Sequence, residues 1–190
     1  MRIRPVIYSM SLLVLTCTAC GGKEKFTPGS PTLAAPAGTS EAQPPVASAP
    51  VQTAIDSMDL PFHIVSASQG FSVLRVNQST GEPGLKIGGE SFAKGIGTHA
   101  PSRIEIQLPD GAKKLSGGCG LDAFATAPGN VTCRIEAGGK VLWDSGIVAG
   151  SKDVARFSVG VEGISQLTLI VDPNGSMDFD HTDWVDLKVE

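Results

Sequence analysis

Two short stretches bring together the side chains of this sequence that are best suited to chemistry. The first is Gly95-Ile96-Gly97-Thr98-His99-Ala100, and the second, much later in the chain, is Asp180-His181-Thr182-Asp183-Trp184. An imidazole can hydrogen-bond a hydroxyl in either direction, and an indole can cover the apolar face of a ligand. The sequence therefore predicts that one polar site gathers His99, Asp180, His181, Asp183 and Trp184.

Two of these residues also have a structural interpretation. His99 follows Gly95 and Gly97, which allow close contacts of the backbone, and its ring is as well suited to donate to a backbone carbonyl as to bind a ligand. Trp184 begins an apolar final stretch, where large aromatic side chains more often belong to the core than to a ligand platform. Both interpretations stay open at the level of sequence.

Acidic residues near the C-terminus suggest a metal. Carboxylates of the kind found there are the hard oxygen ligands that calcium takes, although no EF-hand loop is present and a solvated acidic loop explains them almost as well. The sequence predicts no required cofactor, and a structural calcium is the one metal it suggests. Its weak candidate ligands are Asp178, Asp180 and Asp186.

Patterns typical of enzymes are missing from the sequence. His99, Ser102 and Asp122 are the residue types of a catalytic triad, but no Gly-x-Ser-x-Gly elbow accompanies them. His-x-x-x-His and Cys-x-x-Cys zinc spacings are absent from the part that follows the first twenty residues. We therefore expect a protein without catalytic activity.

Strands must position these groups, and a period-two alternation of apolar residues indicates where those strands are. It recurs in short runs bounded by Gly, Pro, Asn or Asp, and many short strands at such spacing indicate an all-β fold, a β-sandwich or jelly roll. Asp56 to Leu60 is the one stretch that suggests a helical turn. The alternating runs are Phe71–Arg75, Arg103–Leu108, Val131–Ile135, Phe157–Val161 and Leu167–Val171.

The N-terminal part indicates export. Residues 1–19 combine two arginines, a short apolar core and small residues before Cys20, which is typical of a bacterial lipoprotein signal peptide with Cys20 as the lipidated residue. Residues 20–54 are rich in Pro, Ala, Ser and Thr and predict a disordered tether. We expect a lipid-anchored protein of the bacterial cell envelope, periplasmic or on the cell surface, with the membrane as one partner.

Export bears on the two remaining cysteines. Cys119 and Cys133 then lie in an oxidising compartment, and strand alternation turns both into the core, so we expect a disulfide across neighbouring strands. A pair of unbridged core thiols is the alternative.

Charge excludes one class of partner. Removal of Arg2 and Arg4 with the signal leaves 13 basic against 19 acidic residues, a net charge of about −6. No basic stripe with interleaved aromatic residues is present, so we expect no nucleic-acid partner. An uncharged ligand such as a sugar fits this balance better.

The order of motifs resembles the NPCBM family, the "novel putative carbohydrate-binding module". The resemblance covers residues 55–190 and implies a non-catalytic, galactose-binding-domain-like β-sandwich whose partner is a glycan or polysaccharide. The mature chain has no tyrosine and only two tryptophans, which favours an alternative: a structural or protein-interaction envelope lipoprotein that kept the fold and lost sugar binding, with another envelope protein as the partner in the second case. The motifs are Leu85-x-Ile87-x-Gly89, Phe92-x-Lys94 through Ser102, Gly120-Leu121-Asp122 and Asp180-His181-x-Asp183-Trp184.

Overall fold

The structure, a computed structural model, describes residues 50–124, 127, 129–150 and 152–190. These residues form thirteen strands and no helix. The strands are β1 (Val51–Gln52), β2 (His63–Gln69), β3 (Arg75–Val76), β4 (Leu85–Ile87), β5 (Glu90–Phe92), β6 (Gly95–His99), β7 (Ser102–Gln107), β8 (Lys114–Leu121), β9 (Asn130–Ala137), β10 (Lys140–Ala149), β11 (Ala155–Gly160), β12 (Gln166–Pro173) and β13 (His181–Val189).

Two antiparallel sheets face each other. One has six strands in the order β1-β2-β7-β12-β9-β10, and the other has five in the order β11-β8-β13-β6-β3. The hairpin β4–β5 forms a third, two-stranded sheet, and Ile87 of β4 bridges to Asp122 at the end of β8. This arrangement confirms the predicted all-β sandwich.

The core lies between the sheets and follows from alternation along each strand. In β7, Ile104 and Ile106 are fully buried while Arg103 and Glu105 point to solvent. Trp143 of β10 packs on Phe157 of β11, with ring centroids 5.2 Å apart, where the open edges of the two sheets meet.

Cys119 and Cys133 form the predicted disulfide. The two cysteines lie on strands that follow one another along the chain, as expected, but these strands belong to different sheets. Cys119 lies on β8 of the five-stranded sheet and Cys133 on β9 of the six-stranded sheet. Because β8 and β9 follow one another along the chain but enter different sheets, the bridge crosses the core and ties the two layers together.

Two local predictions fail. The run Phe71–Arg75 was expected to be a strand, but only Arg75 and Val76 pair, because Ser72 adopts a positive φ of 62° that interrupts the extended backbone. Phe71 therefore lies on a loop. The expected helical turn at Asp56–Leu60 is an isolated turn, in which the Leu60 amide donates to the Ser57 carbonyl.

The N-terminal predictions concern mostly residues that the structure leaves undescribed. The signal peptide 1–19, Cys20 and most of the tether 20–54 lie outside the described residues. Val51 and Gln52, which were assigned to the tether, pair with Ser68 and Ala67 of β2. Within the described part, no helix has the length and apolar character needed to cross a membrane.

Candidate functional site

Two histidines meet where β6 ends and β13 begins. Antiparallel pairing places His181 directly opposite His99, with Thr182 opposite Thr98. The two imidazole rings stand edge to face, with centroids 4.7 Å apart and planes at 87°. The structure therefore brings together two of the five predicted site residues, although these two histidines are far apart in sequence.

One nitrogen of each ring is already engaged. Nδ1 of His99 lies 2.8 Å from the carbonyl oxygen of Ala100, and Nδ1 of His181 lies 2.7 Å from the hydroxyl of Thr80. Burial lowers the pKa of His181, the nearby His99 lowers it further, and Asp122 partly opposes them. His181 is therefore neutral at pH 7.

Exposed aromatic rings surround the histidine pair. Phe71 is 58% exposed, and its ring centroid lies 5.3 Å from that of His99 and 6.3 Å from that of His181. Phe124 is 42% exposed and lies 6.1 Å from His181. Large apolar side chains left open to solvent beside polar groups are typical of a ligand-binding surface. We call Phe71, His99, Phe124 and His181 the His–Phe site.

Buried polar residues hold the loop that carries Phe71. The Gln69 side-chain amide donates to the Phe71 carbonyl at 2.7 Å, and its other amide atom accepts from Thr98 at 2.8 Å. The hydroxyls of Thr98 and Ser102 lie 2.6 Å apart. Because these partners belong to β2, β6 and β7, the loop is fixed to both sheets at this end of the sandwich.

Gly81 creates the space for the Phe124 ring. A Cβ at this position would lie 2.4 Å from a ring carbon of Phe124, which is closer than any real contact. The ring therefore rests on the backbone at Gly81, and the loop between β3 and β4 supports the His–Phe site from below.

Asp180 is buried rather than open to a ligand. Its Oδ1 accepts from the backbone amide of Asn130 at 2.7 Å, while Oδ2 has no partner among the described residues. Burial raises the pKa of this carboxyl, with Asp178 acting in the same direction, and the Asn130 amide and His99 oppose the shift. The residue fixes the start of β9 next to the loop before β13.

Asp183 lies beneath the histidines in a fully buried position. Burial, followed by the adjacent Asp122 side chain, raises the pKa of Asp183 to about 10, so it is a neutral acid at pH 7. Neither of its oxygens has a well-aligned partner among the described residues. Asp122 accepts from the Phe124 amide at 2.7 Å and the Lys86 amide at 3.4 Å, which links this pair to the Phe124 loop.

Trp184 belongs to the core. Its side chain is fully buried, 5.9 Å from Phe157 and 6.3 Å from Trp143 between ring centroids. Along β13 successive side chains alternate between faces, so His181 and Asp183 lie on the outer side of the sheet while Trp184 points inward. The structure does not bring Trp184 to the His–Phe site.

The three proposed calcium ligands do not come together. Asp178 accepts from the Ser176 hydroxyl at 2.6 Å, Asp180 is engaged with Asn130, and Asp186 forms an ion pair with Arg156 at 2.8 Å. Across the described ranges, no three His, Cys, Asp or Glu side chains are grouped closely enough to hold a metal ion. These three carboxylates therefore do not form one cluster, and calcium binding stays a prediction.

The fold and this loop-end site define a class of protein: a β-sandwich module with a galactose-binding-domain-like architecture. The NPCBM/NEW2 domain model matches residues 55–190, and the chain therefore belongs to that family. Two curated relatives carry related sequence. They are alpha-1,3-galactosidase B of Akkermansia muciniphila, 41% identical over 117 residues, and a putative endo-alpha-N-acetylgalactosaminidase of Renibacterium salmoninarum, 26% identical over 132 residues.

These matches cover 60% and 66% of this chain but only 15% and 9% of the two relatives. Among solved structures, the CBM51 of Clostridium perfringens GH95 in complex with methyl-galactose is 27% identical, with a TM-score of 0.62. That match covers 67% of this chain and 94% of the other. CBM51-2 of Clostridium perfringens ZmpB, in complex with GlcNAc, is 25% identical with a TM-score of 0.63 over 69% of this chain and 30% of the other.

Four residues at this end of the sandwich were not among the residues that the sequence predicts for the site: Phe71, Thr80, Gly81 and Phe124. Phe71 falls in a run whose alternation predicts a strand, and neither phenylalanine belongs to the tryptophan and tyrosine residues expected as stacking platforms. The available signal was Gly70 and Ser72 on either side of Phe71, because glycine and serine are common in turns.

Proposed function

We propose that this protein is a non-catalytic glycan-binding module, held at the bacterial cell envelope by a lipid on Cys20 and a tether that ends before β1 at Val51. Family membership and the CBM51 structures that hold methyl-galactose or GlcNAc support the glycan as ligand. The signal-like residues 1–19 support the anchor. An acidic net charge suits an uncharged ligand.

One observation carries the proposal: the His–Phe site places half-exposed phenyl rings next to two imidazoles. The rings can cover the C–H face of a sugar, and the imidazoles can hydrogen-bond its hydroxyls. Both components are needed, because a sugar presents an apolar face and a polar edge. A site of this kind binds and orients a sugar without acting on its bonds.

The buried residues around the site make it rigid before a ligand arrives. Gln69 and Asp122 hold the backbones of the Phe71 and Phe124 loops, each through a side chain that is itself buried. A site whose side chains are already ordered loses less conformational entropy on binding. This lowers the cost of binding a small ligand through few contacts.

The direct experiment is a glycan array probed with the full chain, with calcium present and then chelated. Phe71→Ala and Phe124→Ala should each weaken binding to the same glycans by about threefold to tenfold, the scale of one aromatic contact. Val141→Ala is the matched control, because Val141 is 48% exposed but lies near the start of β10, opposite Glu136 at the other end of the sandwich.

Binding that both phenylalanine variants reduce, while the Val141 variant retains it, supports the proposal. Loss on chelation would add a calcium requirement that the described carboxylates do not explain. A folded chain that binds no glycan would refute the proposal and favour contact with another envelope protein. Release of any cleaved sugar from a bound glycan would refute the non-catalytic part.

A further inference from the structure

The proton position on His99 is fixed by its partner. A backbone carbonyl oxygen only accepts hydrogen bonds, so the 2.8 Å contact requires that Nδ1 of His99 carries the proton and donates to Ala100. In a neutral imidazole with a proton on Nδ1, Nε2 carries a lone pair. The free nitrogen of His99 is therefore a hydrogen-bond acceptor.

The two contacts of the Thr80 hydroxyl indicate the proton position on His181. Its hydroxyl lies 2.7 Å from Nδ1 of His181 and 3.4 Å from the carbonyl oxygen of Thr98. The hydroxyl has one proton, and the Thr98 carbonyl has none to give. Both contacts are satisfied only when Thr80 donates to Thr98 and accepts from Nδ1 of His181. Thr80 is almost fully buried, where unsatisfied contacts are costly.

The second nitrogen of each ring is free for a ligand. No hydrogen bond to another described residue engages Nε2 of His99 or His181, and neither atom is among the buried polar atoms without partners. With centroids only 4.7 Å apart, both rings contact Phe71. Two imidazolium charges at this separation would repel each other, so the pair does not carry two charges.

From this geometry we infer that His99 and His181 act as a pair of hydrogen-bond acceptors, which select an uncharged sugar through two hydroxyls that both donate. This inference rests on the proposed function and adds the direction of the hydrogen bonds. Two adjacent acceptors cannot satisfy each other, so each needs a donor from the ligand or from water. A sugar carboxylate or sulfate brings only further acceptors and is disfavoured at the same positions.

Long-range proton–nitrogen NMR of the full chain reads the ring protons directly and needs no ligand. The expected result is a proton on Nδ1 and none on Nε2 in both rings at neutral pH. A His181 ring with its proton on Nε2 would overturn the inference, because that nitrogen would then donate to the ligand.

Deoxyfluoro analogues of methyl-galactose test the same point from the ligand. Fluorine is close to a hydroxyl in size but cannot donate, so replacement of either hydroxyl that contacts a histidine should weaken binding about tenfold, the scale of one acceptor left without a partner. The other positions should tolerate fluorine. If methyl-galactose does not bind, the same series is made on the neutral sugar that the array selects.

His99→Asn and His181→Asn complete the test on the protein. Asparagine keeps an amide donor close to the position of Nδ1 but has no group at Nε2, so each variant should fold and lose about tenfold in affinity. In each variant, the fluorine effect at one hydroxyl should disappear, which pairs that hydroxyl with that histidine.

The outcomes separate the inference from the proposed function. Sugar binding that no fluorine substitution weakens, or binding confined to acidic glycans, would overturn the acceptor pair while leaving glycan binding intact. Absence of all glycan binding by the folded chain would overturn both.

Discussion

Asp183 of β13 and Asp122, which follows β8, place two carboxyl groups side by side on the outer face of the five-stranded sheet, where the β4–β5 hairpin buries them. Both residues are almost completely buried, and Asp122 accepts hydrogen bonds from the backbone amides of Phe124 and Lys86. Two buried carboxylates cannot both be charged at this distance without a large electrostatic cost, so Asp183 keeps its proton. Asp122, in turn, holds the loop that carries Phe124.

The first prediction concerns stability and pH. Burial raises the pKa of Asp183 from its ordinary value of 3.8 to about 10, so between these values the folded state retains a proton that an exposed aspartate of the unfolded chain releases. The free energy of unfolding should therefore fall as pH rises across this window. Asp183→Asn removes the titrating group and should flatten that slope. Melting temperatures at pH 5 to 9 measure it, and parallel curves for both proteins would contradict the prediction.

Gly81→Ala tests how the Phe124 ring is supported. The new methyl group would meet the ring at 2.4 Å and displace it, so sugar affinity should fall by about threefold to tenfold, the scale of one aromatic contact, while the core is untouched. Titration calorimetry with the sugar that the array selects measures the change. Gly89→Ala is the matched control because no atom lies within 4 Å of a Cβ there. An equal effect of both substitutions would argue against a specific role for Phe124.

Trp184 distinguishes a core residue from a sugar platform. Trp184→Ala should reduce the free energy of unfolding by about 3–5 kcal/mol, because it empties a site between Phe157 and Trp143. Trp184→Phe should cost less and leave sugar affinity unchanged in the folded fraction. Urea unfolding and calorimetry measure the two quantities. A stable Phe variant that no longer binds sugar would place Trp184 in the site instead.

The disulfide is expected to stabilise the sandwich by tying the two sheets. Replacement of Cys119 and Cys133 together by alanine should lower the free energy of unfolding by about 3 kcal/mol, the chain-entropy value for a loop of about 15 residues. Urea unfolding measures the effect when the double variant is compared with the parent protein, both with its disulfide intact and after reduction. If reduction leaves the parent's stability unchanged, the bridge contributes little.

Sugar affinity should depend on pH through the histidine pair. The pKa of His181 lies below its ordinary value of 6.5, and protonation removes its acceptor. Affinity should therefore be constant near pH 7 and fall in a transition centred below 6.5. Calorimetry from pH 5 to 8 tests this, with His181→Asn as the variant that lacks the His181 transition, and rising affinity in acid would contradict it. The neighbouring titratable groups are His99, Asp122, Asp178, Asp180 and Asp183.

Much of the architecture could be predicted from local patterns. Alternation in Arg103–Leu108 and Leu167–Val171 indicated strands with one buried face, and the structure pairs Ile104 with Leu169 between β7 and β12. Such a pattern can be recognised within one short segment, without knowledge of the strand that pairs with it. The pairing of Cys119 with Cys133 also followed from alternation, because each sulfur had to face the interior.

Which residues meet at the site, and how deeply each is buried, was decided only by the tertiary structure. The sequence grouped His99 with Asp180, His181, Asp183 and Trp184 by chemistry. Alternation along β13 turns Asp183 and Trp184 to opposite faces of the sheet. Trp184 is buried in the core, and Asp183 is buried under the chain from β3 to β5. Phe71 and Phe124 are site residues because two loops that are distant in sequence meet at one end of the sandwich. Exposure depends on what packs against a residue, and that is a property of the folded chain rather than of its neighbours in sequence.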